Sequence, residues 1–307
     1  MHNSKTISRR DLMIGGATLP LMAAATKGFA AAEMLGVSAT KFNRMKVGGF
    51  EVTTLLVGSR TVDEPHKIFG LNVDKAEFDA VSEAAHIPTD KAQFFFTPTV
   101  VNTGSELILF DTGLNPAGIT GALEAAGYTA DQIDAVVLTH MHGDHIGGLS
   151  GDAGETFINA RYLAGAVEFD ATASASNEGF EAKVRPLAEK MAMIKGGDSV
   201  ASGITAMEAF GHSPGHMAFR LESEGQQMVL AADFANHYVW SLAYPDWEVR
   251  FDRDKAQAAA TRRRMLDMMA ADNIPFVGYH MPFPGVGYVE TRGDGFHYVP
   301  TSYQLML

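Results

Sequence analysis

A short stretch of the sequence concentrates side chains that bind metal ions. In "LTHMHGDHIGGL", Leu138 to Leu149, three histidines and one aspartate fall within six positions: His140, His142, Asp144 and His145. On a regular helix this spacing would scatter them over different faces, whereas a tight loop around Gly143 can turn them inward. Imidazole and carboxylate are ligands that divalent zinc, manganese or iron accept. The stretch therefore predicts a metal site in a loop, for one ion or for two.

The composition narrows the chemistry of this site. The 307-residue chain contains no cysteine, so thiolate ligands, disulfides and cysteine nucleophiles are excluded together. Its 46% hydrophobic and 20% charged residues are typical of a globular protein. The net charge of −12 argues against a nucleic-acid partner, because phosphate binding depends on clustered Lys and Arg. One basic run, Arg262 to Arg264, lies in a helical pattern, and we expect it on a solvated helix face.

The first 32 residues resemble an export signal. A basic start with Arg9 and Arg10 precedes a short apolar run, and "GFAAAE" offers small residues for cleavage after Ala30 or Ala32. The order around the two arginines resembles a twin-arginine signal. We therefore expect residues 1–32 to be a signal peptide, residues 33–307 to be a single domain, and the protein to lie in the periplasm without stable membrane anchoring. An uncleaved basic terminus is the alternative.

Strands and helices alternate along the rest of the chain, which indicates α/β layering. "ELILFDTG", "AVVLTH", "QMVLAADF" and "IPFVGYHM" are typical of buried strands, and a helix is expected from about Asp254 to Ala271. His140, Asp233 and His280 each follow one of these strands. Because ligands in α/β folds gather outside the carboxyl ends of strands, the three residues predict one common site.

Residues 58–98 lack a clear periodicity and carry Pro65, Gly70 and Pro88. Such a segment is often a lid over a substrate, and an elaboration of the domain edge is the equal alternative. An apolar lid is also a candidate dimer surface, so a homodimer is one alternative for the oligomeric state.

Four spaced motifs together resemble the metallo-β-lactamase fold superfamily. "THMHGDHIGG" matches its His-x-His-x-Asp-His motif, and "GHSPGH", "AADF" and "YHMPFPG" follow in order. The closer likeness is to the methyl parathion hydrolase branch, with lactone- and ester-cleaving enzymes, over nearly all of residues 33–307. This resemblance implies an αββα sandwich of two mixed β-sheets packed face to face with helices outside.

The resemblance also implies a ligand set for two divalent ions, zinc first, with manganese, cobalt or iron as alternatives. The first ion would be held by His140, His142 and His212, the second by Asp144, His145 and His280, with Asp233 bridging both. A hydroxide between the ions would attack a small-molecule ester, lactone or phosphotriester. Asp144 and Asp233 are then the candidate catalytic carboxylates.

Other functions stay open within and beyond this superfamily. A thioester hydrolase of the glyoxalase II kind, a β-lactamase, and a periplasmic metal-binding protein without turnover are the alternatives. Zinc β-lactamases of the best-known type resemble this scaffold but place Cys where this chain has Asp233, and single-iron dioxygenases do not need the second ligand set.

Further residues are candidates around the ions. Asp111, after a strand, could orient a ligand histidine, and His216 is expected to brace its loop. Similar quorum-signal lactonases often carry Tyr three residues beyond the bridging aspartate, where this sequence has Asn236, which weakens a homoserine-lactone specificity. The candidates for the substrate pocket are Phe94, Phe95, Phe96, Asn236, His237 and Tyr238, with ordinary loop or core placement as the equal alternative for His237 and Tyr238.

Overall fold

The structure is a computed structural model, and it describes residues 33–34 and 38–303. The predicted signal peptide, residues 1–32, lies outside the described residues. The described residues from Ala39 onward belong to one compact unit.

Eighteen strands and six α-helices are present in the described part of the chain. The strands are β1 (Phe42–Val47), β2 (Phe50–Leu55), β3 (Gly58–Asp63), β4 (Lys91–Phe96), β5 (Thr99–Asn102), β6 (Leu107–Phe110), β7 (Ala135–Leu138), β8 (Ser150–Gly151), β9 (Gly154–Glu155), β10 (Arg161–Gly165), β11 (Met191–Ile194), β12 (Ser199–Ala201), β13 (Ile204–Glu208), β14 (Met217–Ser223), β15 (Gln226–Ala232), β16 (Phe276–Gly278), β17 (Val286–Arg292) and β18 (Gly295–Pro300). The helices are α1 (Lys75–Ala84), α2 (Pro116–Ala125), α3 (Gly143–Ile146), α4 (Ala166–Ser174), α5 (Glu178–Lys183) and α6 (Lys255–Ala271).

Two mixed sheets of seven strands each form the framework. The first has the order β1-β2-β5-β6-β7-β10-β11, and the second has the order β12-β13-β14-β15-β16-β17-β18. In the first sheet β6, β7, β10 and β11 run parallel to one another, whereas in the second only β15 and β16 do. The carboxyl ends of β7, β15 and β16 each lead into the segment that carries a predicted ligand.

The sheets pack face to face, with helices on both outer faces. Val137 of β7 and Phe219 of β14 belong to one apolar cluster between the sheets. The neighbouring Val136 points the other way and packs with α2 and α5, as the alternation of side chains along a strand requires. The outer face of the second sheet packs on α6 through Met265, Leu266 and others. The αββα sandwich expected from the sequence is confirmed.

Residues 58–98 are more regular than the sequence indicates. Strands β3 and β4 pair antiparallel, and α1 lies between them along the chain, capped by Asp74. This unit packs through Phe78 and Phe94 on Trp240 and Tyr279, so it lies against the segments that follow β15 and β16. The expectation of an irregular segment is wrong, because the run "QFFF" hides the period of two that burial shows along β4.

None of the helices in residues 33–34 and 38–303 combines the length and the hydropathy needed to cross a lipid bilayer.

Candidate metal centre

The structure brings all seven predicted ligands together. Asp233 directly follows β15, His280 follows β16, and His212 lies in the loop between β13 and β14. Their donor atoms form three overlapping groups, each within 4.8 Å: His140, His142 and His212; His140, His145 and Asp233; Asp144, His145 and His280. Ligands from separate loops therefore converge on one polar centre between buried strand ends.

Hydrogen bonds donated by the Nδ1 atoms fix how four of the histidines face this centre. His145 donates to Asp111 at 2.8 Å, His212 donates to Asp252 at 2.9 Å, and His280 donates to the carbonyl of Phe95 at 2.8 Å. His140 donates to Thr139 Oγ1 at 3.1 Å, since that hydroxyl gives its own hydrogen to Asp111. These partners turn each Nε2 towards the centre, the orientation found in histidines that bind metals through Nε2.

The first group of donors fits a cation. Nδ1 of His142 lies 3.0 Å from Nε2 of His140 and 3.1 Å from Nε2 of His212. Because the hydrogens of His140 and His212 are already on their Nδ1 atoms, at most one hydrogen is available among three converging nitrogens. Burial lowers the pKa of His142 to about 4, so this imidazole is neutral at pH 7. A cation would turn the lone-pair repulsion among the three rings into attraction.

The two groups that contain His145 also fit a cation. Oδ1 of Asp233 and Nε2 of His145 are buried and have no hydrogen-bond partner, although they lie 3.4 Å apart. Burial disfavours the charged form of His280, but the carboxylates of Asp233 and Asp144 outweigh it and raise its pKa to about 10. Without a metal ion, protonated imidazole offsets the negative charge here, and a divalent ion would take over that role.

Asp233 lies between the two predicted ligand sets, that of His140, His142 and His212 and that of Asp144, His145 and His280. Its Oδ2 is 3.4 Å from Nε2 of His212 and 3.2 Å from Nε2 of His280. Burial opposes its ionisation, yet His280 and His145 hold its pKa well below the usual value. The carboxylate thus faces one histidine of each predicted ligand set, which is the placement expected of a bridging ligand.

Asp111 makes three hydrogen bonds to the loop that carries His140, His142 and His145, here called the histidine loop. It accepts from Nδ1 of His145 and from both the backbone N–H and the hydroxyl of Thr139, at 2.8 to 2.9 Å. Its backbone adopts φ 61°, an uncommon left-handed conformation for a residue with a side chain. Tyr279, which sequence reasoning missed, stacks on His145 with ring centroids 3.9 Å apart and donates to the carbonyl of Asp144.

A buried ion pair between Arg262 and Asp252 supports the orientation of His212. Arg262 is fully buried, and its Nη2 donates to Asp252, the residue that accepts from His212. The prediction that residues 262–264 lie on a solvated face is wrong for Arg262, because this position of α6 is buried against the segment after β15, where its guanidinium donates to the carbonyls of Phe234 and Pro245. A basic run inside a helical pattern gave no signal that one member is buried.

The other candidates divide between the centre and its surroundings. Asn236 donates to Oδ2 of Asp233 at 3.2 Å, and the rings of Phe94 and Phe96 lie edge-on to His280 at 5.5 Å. Phe95 contributes its backbone carbonyl to His280. His216 lies outside the three donor groups, and its Nε2 accepts from the backbone N–H of Asp233 at 3.0 Å.

His237 and Tyr238 contact residues outside the set of seven predicted ligands. His237 stacks on Trp240 with centroids 3.9 Å apart and accepts from two backbone N–H groups, while Tyr238 lines a separate cavity of about 960 Å³ with Tyr244 and Trp247. None of the seven predicted ligands lines that cavity. These contacts correspond to the loop or core placement that the sequence left open for both residues.

A cavity of about 930 Å³ opens beside the centre. His142 and His212 lie in its wall, with Glu168, Arg250 and Phe251. Its volume is similar to that of the Tyr238 cavity, so size does not distinguish the two, but only this one adjoins the converging donors. Among these cavities it is the one through which a small molecule would reach the ligand residues.

The burial of His237 predicts a pH effect on stability. Burial lowers its pKa from 6.5 to about 3, so between these values the unfolded chain binds a proton that the folded chain does not, and stability falls as pH falls. At 1.36 kcal/mol per pKa unit, this costs about 2 kcal/mol between pH 7 and pH 5. In urea unfolding of the metal-free protein, the free energy of unfolding should fall between pH 7 and pH 5 by about 2 kcal/mol less for His237→Phe than for the wild-type chain. An unchanged slope, or an equal change in the exposed control His297→Phe, would contradict the prediction.

The sequence profile of the metallo-beta-lactamase superfamily matches residues 97–275 of the chain. An N-acyl homoserine lactonase from Bacillus sp. is 29% identical over 112 residues, which is 36% of this chain and 42% of the lactonase. The chain thus matches less than half the length of this curated relative.

Two solved structures share the fold over most of their length. The dizinc quorum-quenching lactonase AidC superposes with a TM-score of 0.78 at 24% identity, covering 85% of this chain and 98% of its own. The hydrolase AbOPH of the beta-lactamase superfamily gives a TM-score of 0.79 at 22% identity, covering 87% and 99%. At these identities the likeness supports the fold alone.

Proposed function

Since the chain belongs to the metallo-beta-lactamase superfamily, we propose that it is a metal-dependent hydrolase of small molecules. Two divalent metal ions, zinc first, would be held by the seven side chains that the sequence predicts. His140, His142 and His212 would hold one ion, Asp144, His145 and His280 the other, and Asp233 would bind both.

The observation that carries the proposal is the convergence of ligand-type side chains, most of them buried, on one centre. Seven ligand-type side chains from separate loops meet within overlapping groups, and two of their inward atoms are buried without a hydrogen bond. Burying such groups unpaired costs on the order of 1–3 kcal/mol each, so their common orientation needs a compensating ligand. A cation supplies that compensation. In a cluster with a purely structural role, these atoms would instead have hydrogen-bond partners within the protein.

Bound there, divalent ions would lower the pKa of a water molecule towards neutrality and polarise a scissile C=O or P=O group. The chain's own residues prepare the site for this chemistry. Asp111, Asp252 and the Phe95 carbonyl fix the ring orientations of three histidines through Nδ1. Asn236 restrains the carboxylate of Asp233, and Phe94 and Phe96 cover one side of His280.

For the substrate we propose an ester, lactone or phosphotriester. The cavity beside His142 and His212 has room for a small molecule, and the matched Bacillus relative is named as a lactonase. Asn236 is buried beside Asp233, at the position where similar quorum-signal lactonases often carry Tyr, and this weakens a specificity for homoserine lactones. Export to the periplasm, from residues 1–32, and a homodimer remain predictions.

Metal removal and reloading tests the proposal. The purified chain, stripped with a chelator and reloaded separately with zinc, manganese, cobalt or iron, is assayed against lactones, aryl esters, organophosphates, thioesters and β-lactams. We expect hydrolysis of at least one of the first three classes to fall to background on stripping and to return with about two ions per chain.

The result also discriminates among the alternatives. Activity confined to thioesters or β-lactams would overturn the proposed substrate class. One bound iron with oxygen consumption would indicate a dioxygenase, and two tightly held ions with no turnover on any substrate would indicate a metal-binding protein.

A further inference from the structure

Glu168 is a buried carboxylate that no step of the proposed chemistry uses. It lies in the first turn of α4, a helix that carries none of the predicted ligands, and its exposed fraction is 3%. A buried carboxylate is costly unless hydrogen bonds satisfy it, so its partners show what it is for.

Those partners come from two different loops. Oε1 accepts from the backbone N–H of Met141 at 3.0 Å, and Met141 lies between His140 and His142. Oε2 accepts from the hydroxyl of Ser213 at 2.7 Å and from the backbone N–H of Gly215 at 2.9 Å, in the loop that carries His212. One carboxylate therefore ties together the two loops that supply the first donor group.

The second loop is pressed directly onto α4. A Cβ atom at Gly215 would lie 2.1 Å from the backbone nitrogen of Glu168, so only glycine allows this approach. The contact with α4 and the three hydrogen bonds leave the two loops little freedom to separate. These two loops carry His140, His142 and His212, whose nitrogens lie 3.0 and 3.1 Å apart.

We propose that Glu168 is a positioning residue that sets the separation of the two loops and thereby the affinity of the first donor group for its ion. This role rests on the proposed function, because it assumes that His140, His142 and His212 bind a metal ion. The other ligand set, Asp144, His145 and His280, is held instead by Asp111, Tyr279 and the Phe95 carbonyl through hydrogen bonds that do not involve Glu168. Loss of Glu168 should therefore weaken one ion and spare the other.

The test compares ion binding in Glu168→Gln and in the wild-type chain. Glutamine keeps the size but replaces one acceptor oxygen by an NH₂ group, which cannot accept a hydrogen bond. Whichever way the amide turns, the loop of Met141 or the loop of Ser213 and Gly215 loses its acceptor. Equilibrium dialysis with zinc, and the visible spectrum with cobalt, should show one ion bound roughly 10–100-fold more weakly, the range for groups that support metal ligands. The other ion should keep its wild-type affinity.

Three further variants make the outcome decisive. Glu178→Gln is the matched control, since Glu178 is exposed in the wall of the same cavity, and it should bind both ions normally. Ser213→Ala removes one of the three hydrogen bonds and should weaken the same ion by a smaller factor, which keeps the test valid if Glu168→Gln fails to fold. His142→Ala identifies the ion concerned, because it removes a ligand of the first group.

Equal weakening of both ions, or none, in Glu168→Gln and Ser213→Ala would overturn the positioning role. It would do so while leaving the proposed function intact, provided that His142→Ala loses one ion. Unchanged ion binding in His142→Ala would instead contradict the ligand set, and with it the role of Glu168.

Discussion

Replacing Asp233 by alanine should lower the affinity for both ions and reduce hydrolysis by more than the roughly 10–100-fold typical of groups that only support metal ligands. The reason is its position, with Oδ2 within 3.4 Å of His212 and 3.2 Å of His280, and Oδ1 within 3.4 Å of His145. Each of the other six predicted ligands belongs to one ligand set, whereas the carboxylate of Asp233 contacts histidines of both sets. Metal content per chain and kcat/KM on the best substrate from the panel are the measurements.

Matched variants separate the charge from the shape of the side chain. Asp233→Asn keeps the shape and removes the negative charge, so we expect it to lose the ions nearly as completely as alanine does. Asp152→Ala, at an exposed turn between β8 and β9, should retain both ions and full activity. An Asp233→Ala protein with two bound ions and the parental rate would show that the bridging role is wrong.

Much of the fold was predictable because its strands carry continuous apolar runs. Strands buried on both faces, such as β6 and β7, need apolar residues at every position, so "LILF" and "AVVL" identify them without any knowledge of their neighbours. Helix α6 was equally clear, and it begins one residue after the predicted Asp254, which caps it. Strand β3 has a mostly exposed, polar sequence, and its pairing with β4 depends on a partner about 30 residues away, which a local pattern does not reveal.

The ligands were predictable because histidines packed so closely along a chain are typical of metal sites, whereas the groups that hold them were largely not. Glu168 and Arg262 find their partners 45 and 28 residues away in the chain, at Ser213 and Phe234. In a helical sequence a charged residue normally indicates the solvated face, and nothing local marks the exceptions. Asp111 was identified because it follows a strand that ends beside the histidine loop.

Arg262 is the exception with the largest expected effect on stability. Its guanidinium donates to Asp252 at 2.7 Å and to the backbone carbonyls of Phe234 and Pro245 at 2.9 and 2.7 Å, with no exposure to solvent. Arg262→Met would leave the buried carboxylate of Asp252 without its cation and two buried carbonyls without a donor. Breaking a buried pair in this way costs about 3–5 kcal/mol, and we expect that loss in the free energy of unfolding.

Urea unfolding of the metal-free protein measures this loss, with Arg264→Met as the control. Arg264 lies in the same helix but makes an exposed bond to the carbonyl of Glu208, so its replacement should change stability by no more than about 0.5 kcal/mol. Adding Asp252→Asn to Arg262→Met should restore part of the stability, because the uncompensated charge is then removed. If the double variant is no more stable than Arg262→Met, the stability is lost through the carbonyl hydrogen bonds and the packing of α6. That result would contradict the loss of the ion pair as the cause.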